Sequence, residues 1–182
     1  MYKWVGSMLL ICLFILSGCM NSTDYKDDDV AAMVRGEEIT VGYLRFLYTD
    51  DAIVEMIDEA VKAKLAEQEV KKMNIDVSKQ VKEIKESYGE YPQDELYSAK
   101  AQSIRAFADP QARELGIDPK EYYEKYTEVS AEIAAYINVY TSEILGELED
   151  DEFGIEEYNH HASELLDDLV ERNKDAIEVR IK

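Results

Sequence analysis

The stretch DPKEYYEKYTEVSAEIAAYINVYTSEILGEL, residues 118–148, decides how the rest of the chain must be read. Asp118 offers a side-chain oxygen to exposed helix-start amides, and Pro119 suits the first helical position, where its missing N–H costs nothing. Gly116, just upstream, suits the left-handed end of a preceding helix. The pattern predicts a helix over residues 119–148. Within it Tyr122, Tyr126, Val129, Ile133, Tyr136 and Tyr140 step by 4, 3, 4, 3 and 4, a heptad-like seam more than three turns long. Such a seam can pack into a core, or it can stay partly open as an aromatic stripe that contacts another polypeptide. In the second case the contacts are Tyr122, Tyr126, Tyr136 and Tyr140.

Working outward, residues 93–108 again have helical character, and Pro110 predicts a boundary or kink near Ala108. The break at residues 75–78 separates two more helices. One starts near Asp50 or Asp51 and ends at Asn74, with Ile53, Met56, Ile57, Ala60, Val61, Leu65 and Val70 three or four residues apart. The other is capped by Ser78, carries Val81, Ile84 and Tyr88, and stops at Gly89 and Pro92. Thr40 is the cap of a short helix through Tyr48, and residues 30–39 read as a strand, a tight turn at Arg35-Gly36 and a second strand. Beyond Gly154, which interrupts the helical pattern, residues 155–173 carry Tyr158, Leu165, Leu166, Leu169 and Val170 at helical spacing, and residues 177–181 alternate as a strand. Neither group of strands can satisfy its backbone alone, so the two ends of the region should pack together. The expected fold is one mostly α domain over residues 30–182, with a small β hairpin or three-stranded sheet.

The first residues have a different character. Lys3 precedes an apolar run from Trp4 to Leu16, broken only by Gly6 and Ser7, followed by Leu16-Ser17-Gly18-Cys19. This resembles the lipobox of bacterial lipoproteins, which implies a signal peptide over residues 1–18 and a diacylglycerol thioether on Cys19. An uncleaved anchor over residues 4–20 and a cleaved leader without lipid are the other readings of the run. Cys12 lies in the leader, so the mature chain holds one cysteine and forms no internal disulfide. Two acyl chains, at about 0.8 kcal/mol per buried methylene, give stable anchoring. Residues 19–29, ending in three aspartates, read as an acidic, solvated tether.

Twenty Lys and Arg against 40 Asp and Glu give a formal charge of −20 and a pI near 4.4, which repels a phosphate backbone and excludes nucleic acid as a partner. With 46% apolar residues the chain is nevertheless no acidic disordered tail. No phosphate loop, nucleophile elbow or CxxC is present, so neither an enzyme nor a cofactor is expected. His160 and His161 stand near Glu156, Glu157 and Glu164 but lack the spacing of helical zinc motifs. A calcium loop starting at Glu149 fails because Phe153 and His160 occupy its fifth and twelfth places. No metal site is expected.

The blocks MVRGEEIT (33–40), MIDEAVKAKL (56–65) and NIDVS (74–78) resemble, in order, the V-N-G-E-x-I-T hairpin, long helix and G-I-x-V-S break of the N-terminal chaperone domain of the SurA, PrsA and trigger-factor class. ELGIDPKEY (114–122) resembles that family's approach to its next long helix, and residues 165–181 its closing helix and strand. Arg35 departs from the family's Asn before the turn glycine. The resemblance implies that the closing strand joins the hairpin in one sheet. PrsA-type foldases also insert a parvulin isomerase of roughly 90 residues, whereas here only residues 149–161 occupy that place. The implied protein is a SurA N-terminal-like cradle without isomerase activity, on the outer face of a bacterial membrane, holding unfolded or secreted polypeptides. An adaptor dedicated to one envelope or membrane protein is the alternative.

Replacing Cys19 with Ala should abolish metabolic fatty-acid labelling and release or misprocess the protein. Labelling that survives the substitution rules the site out.

Overall fold

Val30–Val34 (β1) and Glu37–Thr40 (β2) pair antiparallel, with Val34 opposite Glu37, around a turn in which Arg35 (φ 50°) and Gly36 (φ 87°) are both left-handed. Two positive φ angles match the right-handed twist of the flanking strands. The computed structural model describes residues 25–93, 95–146 and 152–182. Ile177–Val179 (β3) adds antiparallel to the other edge of β1, giving the order β2-β1-β3, so the two ends of the domain share one sheet. A left-handed arginine costs on the order of 1 kcal/mol or more, and the structure shows what offsets it. The Arg35 guanidinium donates through Nε and Nη2 to Asn173 Oδ1 (2.9 and 2.7 Å) and pairs through Nη1 with Glu69 at 2.6 Å. An asparagine at this turn could not reach both.

Six α-helices make up most of the described residues: Val41–Leu47 (α1), Ile57–Met73 (α2), Ser78–Tyr88 (α3), Ala99–Leu115 (α4), Pro119–Leu145 (α5) and Glu152–Asn173 (α6). The cap chemistry at the α4–α5 junction is as the sequence suggests. Gly116 is left-handed at φ 67°, Pro119 opens α5, and Asp118 accepts from the amides of Lys120 and Glu121. Asn74, at φ 57°, closes α2.

Other boundaries differ from expectation. Residues 50–52 form a separate 3-10 turn, and α2 starts only at Ile57, because Asp50 is held by Arg45 at 2.6 Å instead of capping a long helix. The oxygen that organises the start of α3 belongs to Asp76, which accepts from the Ser78 amide (2.9 Å) and hydroxyl (2.6 Å). Pro110 makes no boundary. It sits on the exposed side of α4, where the carbonyl it leaves unpaired can be met by water. Residues 95–98 are not helical, and Arg105 holds this approach by donating to the carbonyls of Gln93 and Leu96. At its far end α5 stops at Leu145, before Gly146 at φ 89°, and α6 takes Gly154 into its first turns. Leu148 lies outside the described residues.

The apolar side chains form two clusters. The larger joins the sheet to α1, α2, the C-terminal half of α5 and Leu169 of α6, around Val34, Ile39, Leu44, Leu65, Val70, Val139 and Tyr140. The smaller joins α4 to the N-terminal half of α5 through Ala108, Ala112, Tyr122 and Tyr123, with Phe46 and Phe107 packed against them. Between the clusters the end of α1 is tied down by polar contacts. Gln111 donates to the Tyr48 carbonyl (3.0 Å) and the Tyr122 hydroxyl to the Phe46 carbonyl (3.1 Å), groups left without partners where a helix ends.

The solvated tether expected up to Asp29 is corrected for residues 25–29, which dock on the domain. The amides of Val41 and Gly42, orphaned at the start of α1, donate to the carbonyls of Asp29 and Asp27 at 2.9 Å each. Arg45 pairs with Asp27 (2.6 Å) and donates to the Tyr25 carbonyl (2.7 Å), and the Tyr25 hydroxyl meets the Lys182 backbone at 3.3 Å. Cys19 and the leader lie outside the described residues.

Docking of this segment requires Gly42. A Cβ there would sit 2.9 Å from Asp27 Cβ and 3.0 Å from its carbonyl oxygen. Gly42→Ala should therefore destabilise the protein by about 1–3 kcal/mol, and a thermal melt followed by circular dichroism should fall by several degrees, with faster amide exchange at Val41. An unchanged melt and unchanged exchange would show that the segment is not seated in this way.

Candidate functional site

A half-open cleft of about 220 Å³ lies between α1, α2 and α5. Its origin is a difference in side-chain size. Ala60 and Ala63, one turn apart on α2, face Val129 and Ile133 on α5, and side chains this small leave the two helices incompletely filled. Ile39 at the end of β2 closes the floor, while Tyr43 and Tyr136 wall the sides.

The rim is charged, and its charges are not equally satisfied. Glu67 accepts from Lys64 at 2.8 Å and from Lys71. Burial works against its ionisation, but the two lysine hydrogen bonds outweigh it and hold the carboxyl below its usual range. Lys71 also stands 5.6 Å from the centroid of the Tyr136 ring, within cation–π reach. Glu132, one turn from Tyr136, is exposed and has no salt-bridge partner among the described residues. The Tyr43 phenol is pushed up to about 12 by burial first, then by Tyr48, Glu67 and Glu132. Burial raises Tyr136 too, and Glu132 and Glu67 add to the shift while Lys71 opposes it.

Of the four seam tyrosines, only Tyr136 reaches this cleft. Tyr122 is fully buried, 5.4 Å from Phe46, 6.0 Å from Phe107 and 5.9 Å from Tyr126 between ring centroids, and burial raises its hydroxyl to about 12. Tyr126 is half-buried against Phe107, with centroids 4.6 Å apart. Tyr140 is 3% exposed, and its hydroxyl accepts from Arg172 at 3.5 Å. Tyr122 and Tyr140 are thus core residues and cannot touch another chain in this conformation. The physical reason is that α5 is covered by different neighbours along its length: α4 hides the Tyr122 end and α6 the Tyr140 end. Only the middle of the seam, Val129, Ile133 and Tyr136, is left facing the cleft.

The remaining cleft residues were not legible as a site. Ala60 reads as an ordinary core position on α2, and nothing in the pattern of α1 singles out Tyr43, which is 37% exposed. A second hollow, between α3, Tyr91 and the start of α5, is lined by Lys82, Lys85 and Lys120 but equally by Glu86, Glu90 and Glu124, so it carries no preference of charge. His160 and His161 are both exposed, with His160 3.5 Å from Glu164, and no group of three or more His, Cys, Asp or Glu among the described residues is arranged to hold a metal ion. No helix of the described residues is long and apolar enough to cross a membrane. No family model, curated protein or solved structure matches the chain.

The depressed Glu67 carboxyl makes a pH-dependent contribution to stability. Because its folded pKa lies below the ordinary 4.5, the contribution is complete above that value and is lost as the pH falls through the folded pKa. Lys71 is more than half exposed, which limits the effect to about 1 kcal/mol. Melting temperatures of the wild type and Glu67→Gln should therefore differ by a few degrees near neutrality and converge in acid. A difference that persists or widens at low pH would remove the ion pair as its source.

Proposed function

We propose that the protein is a membrane-anchored, extracytoplasmic, chaperone-like lipoprotein that binds exposed apolar segments of unfolded or secreted polypeptides, without prolyl isomerase activity. The observation that carries this reading is the half-open cleft, in which Ala63, Val129 and Ile133 stay partly exposed above the buried Ile39 and Ala60. Such accessible apolar surface, rimmed by charged residues, suits transient contact with other chains. Further apolar side chains stand exposed at the ends of the helices: Ile144 and Leu145 on α5, Ile155 on α6, and Leu96 with Tyr97 before α4. A formal charge of −20 keeps a complex with a sticky client soluble. The SurA N-terminal-like order of hairpin, long helices and closing strand adds support, as does anchoring through Cys19, which would keep the domain where secreted chains emerge.

The test is suppression of aggregation of an unfolded model protein by the soluble chain from residue 22 onward. The wild type should suppress it, and Ala63→Phe, which fills the cleft from α2, should weaken suppression while leaving the melting temperature within a few degrees. Prolyl cis/trans isomerisation, which takes tens of seconds or more unaided, should not be accelerated. Absence of suppression at several-fold molar excess, together with tight capture of a single folded envelope protein, would favour the dedicated adaptor instead.

A further inference from the structure

We propose that the cleft between α1, α2 and α5 selects extended peptide segments in which a large apolar side chain is followed closely by a lysine or arginine, the apolar group entering the cleft and the cation meeting Glu132. This rests on the peptide-binding reading above and adds a specificity to it. The size of the cleft sets the first half of the preference. At about 220 Å³ it exceeds the roughly 150 Å³ of an engineered cavity that admits benzene, so it takes one aromatic or branched aliphatic side chain and not a folded surface.

The second half follows from which charges on the rim are already used. Lys64 and Lys71 are both taken up, Lys71 by Glu67 and Lys64 by Glu67 and by Glu37 at 3.5 Å, and the Tyr136 ring already has the Lys71 ammonium beside it. What remains for an incoming group is the Glu132 carboxylate, which has no salt-bridge partner among the described residues and feels Lys71 only at longer range, and the Tyr43 ring. Both attract a cation, one by charge and the other by its π face. Glu67 and Glu132 both contribute to holding the Tyr43 phenol protonated, which places its hydroxyl in their negative field. An acidic segment would meet Glu132 and the repulsion of a strongly negative molecule at once, whereas a basic one is drawn in by the same field. Charge complementarity and cleft size therefore point to one class of occupant.

The experiment compares fluorescently labelled peptides by anisotropy on the full chain in mild detergent. The peptides are identical except for one position after a central leucine, which is Lys, Gln or Glu. The lysine peptide should bind about three- to tenfold more tightly than the glutamine peptide, the range expected of one partly exposed charge pair with a cation–π contribution. The glutamate peptide should bind most weakly. Glu132→Gln should bring the Lys-to-Gln ratio close to one without weakening the glutamine peptide. Glu143→Gln, on an exposed α5 carboxylate outside the cleft, should leave the ratio intact.

Equal binding of the lysine and glutamine peptides by the wild type overturns the specificity and leaves apolar binding standing. So does a ratio that Glu132→Gln does not change, or that Glu143→Gln lowers as much, since the general field would then be responsible. Binding of none of the peptides overturns the peptide-binding reading of the cleft together with the specificity.

Discussion

The burial of α5 is the constraint on which the rest of the structure depends. Twenty-seven residues of helix span about 40 Å, and this one element contributes side chains to both apolar clusters. Its N-terminal half is covered by α3 and α4, its C-terminal half by the sheet-side cluster and α6. Each large apolar side chain it buries stabilises the fold by about 1.5–3 kcal/mol, and the two clusters are held in one body largely because the same rigid helix enters both. The polar ties of Gln111 and Tyr122 to the end of α1 reinforce that junction.

The cleft is a consequence of the same arrangement. Five other helices share the cover of one long helix, and where α2 presents Ala60 and Ala63 the cover is incomplete. A fuller core would take larger residues there, at the cost of the accessible apolar surface on which peptide binding is proposed to depend. The rim then divides the work: Lys64 and Lys71 satisfy Glu67 and help fix α2, while Glu132 has no salt-bridge partner among the described residues and feels Lys71 only at longer range.

The docked segment 25–29 bears on how such a domain would sit at a membrane. With Arg45, Gly42 and Lys182 holding it, the segment puts Tyr25 at most about 20 Å from Cys19, the span that the intervening number of residues allows. A lipid on Cys19 would therefore keep the N-terminal end of the domain close to the bilayer and not on a long leash. The chain's C-terminal residue lies at that same end, beside Tyr25.

By itself the sequence determined the mostly helical class, the hairpin turn, the α4–α5 junction with its glycine, aspartate and proline, and the packing together of the two ends of the domain. Each of these rests on local chemistry: a cap oxygen, a fixed φ, a strand that needs a partner. The tertiary structure decided everything that depends on which neighbour covers which surface. Periodicity could place Tyr122, Tyr126, Tyr136 and Tyr140 on one face of a helix, but not say that α4 and α6 hide its two ends and leave the middle open. Nor could it join Ala63 to Ile133, or show that aspartates 27 and 29 lend their backbone carbonyls to the start of α1. Exposure belongs to the packed pair of surfaces and not to either one, so a site made of what packing leaves uncovered has no signature in the sequence of any single element.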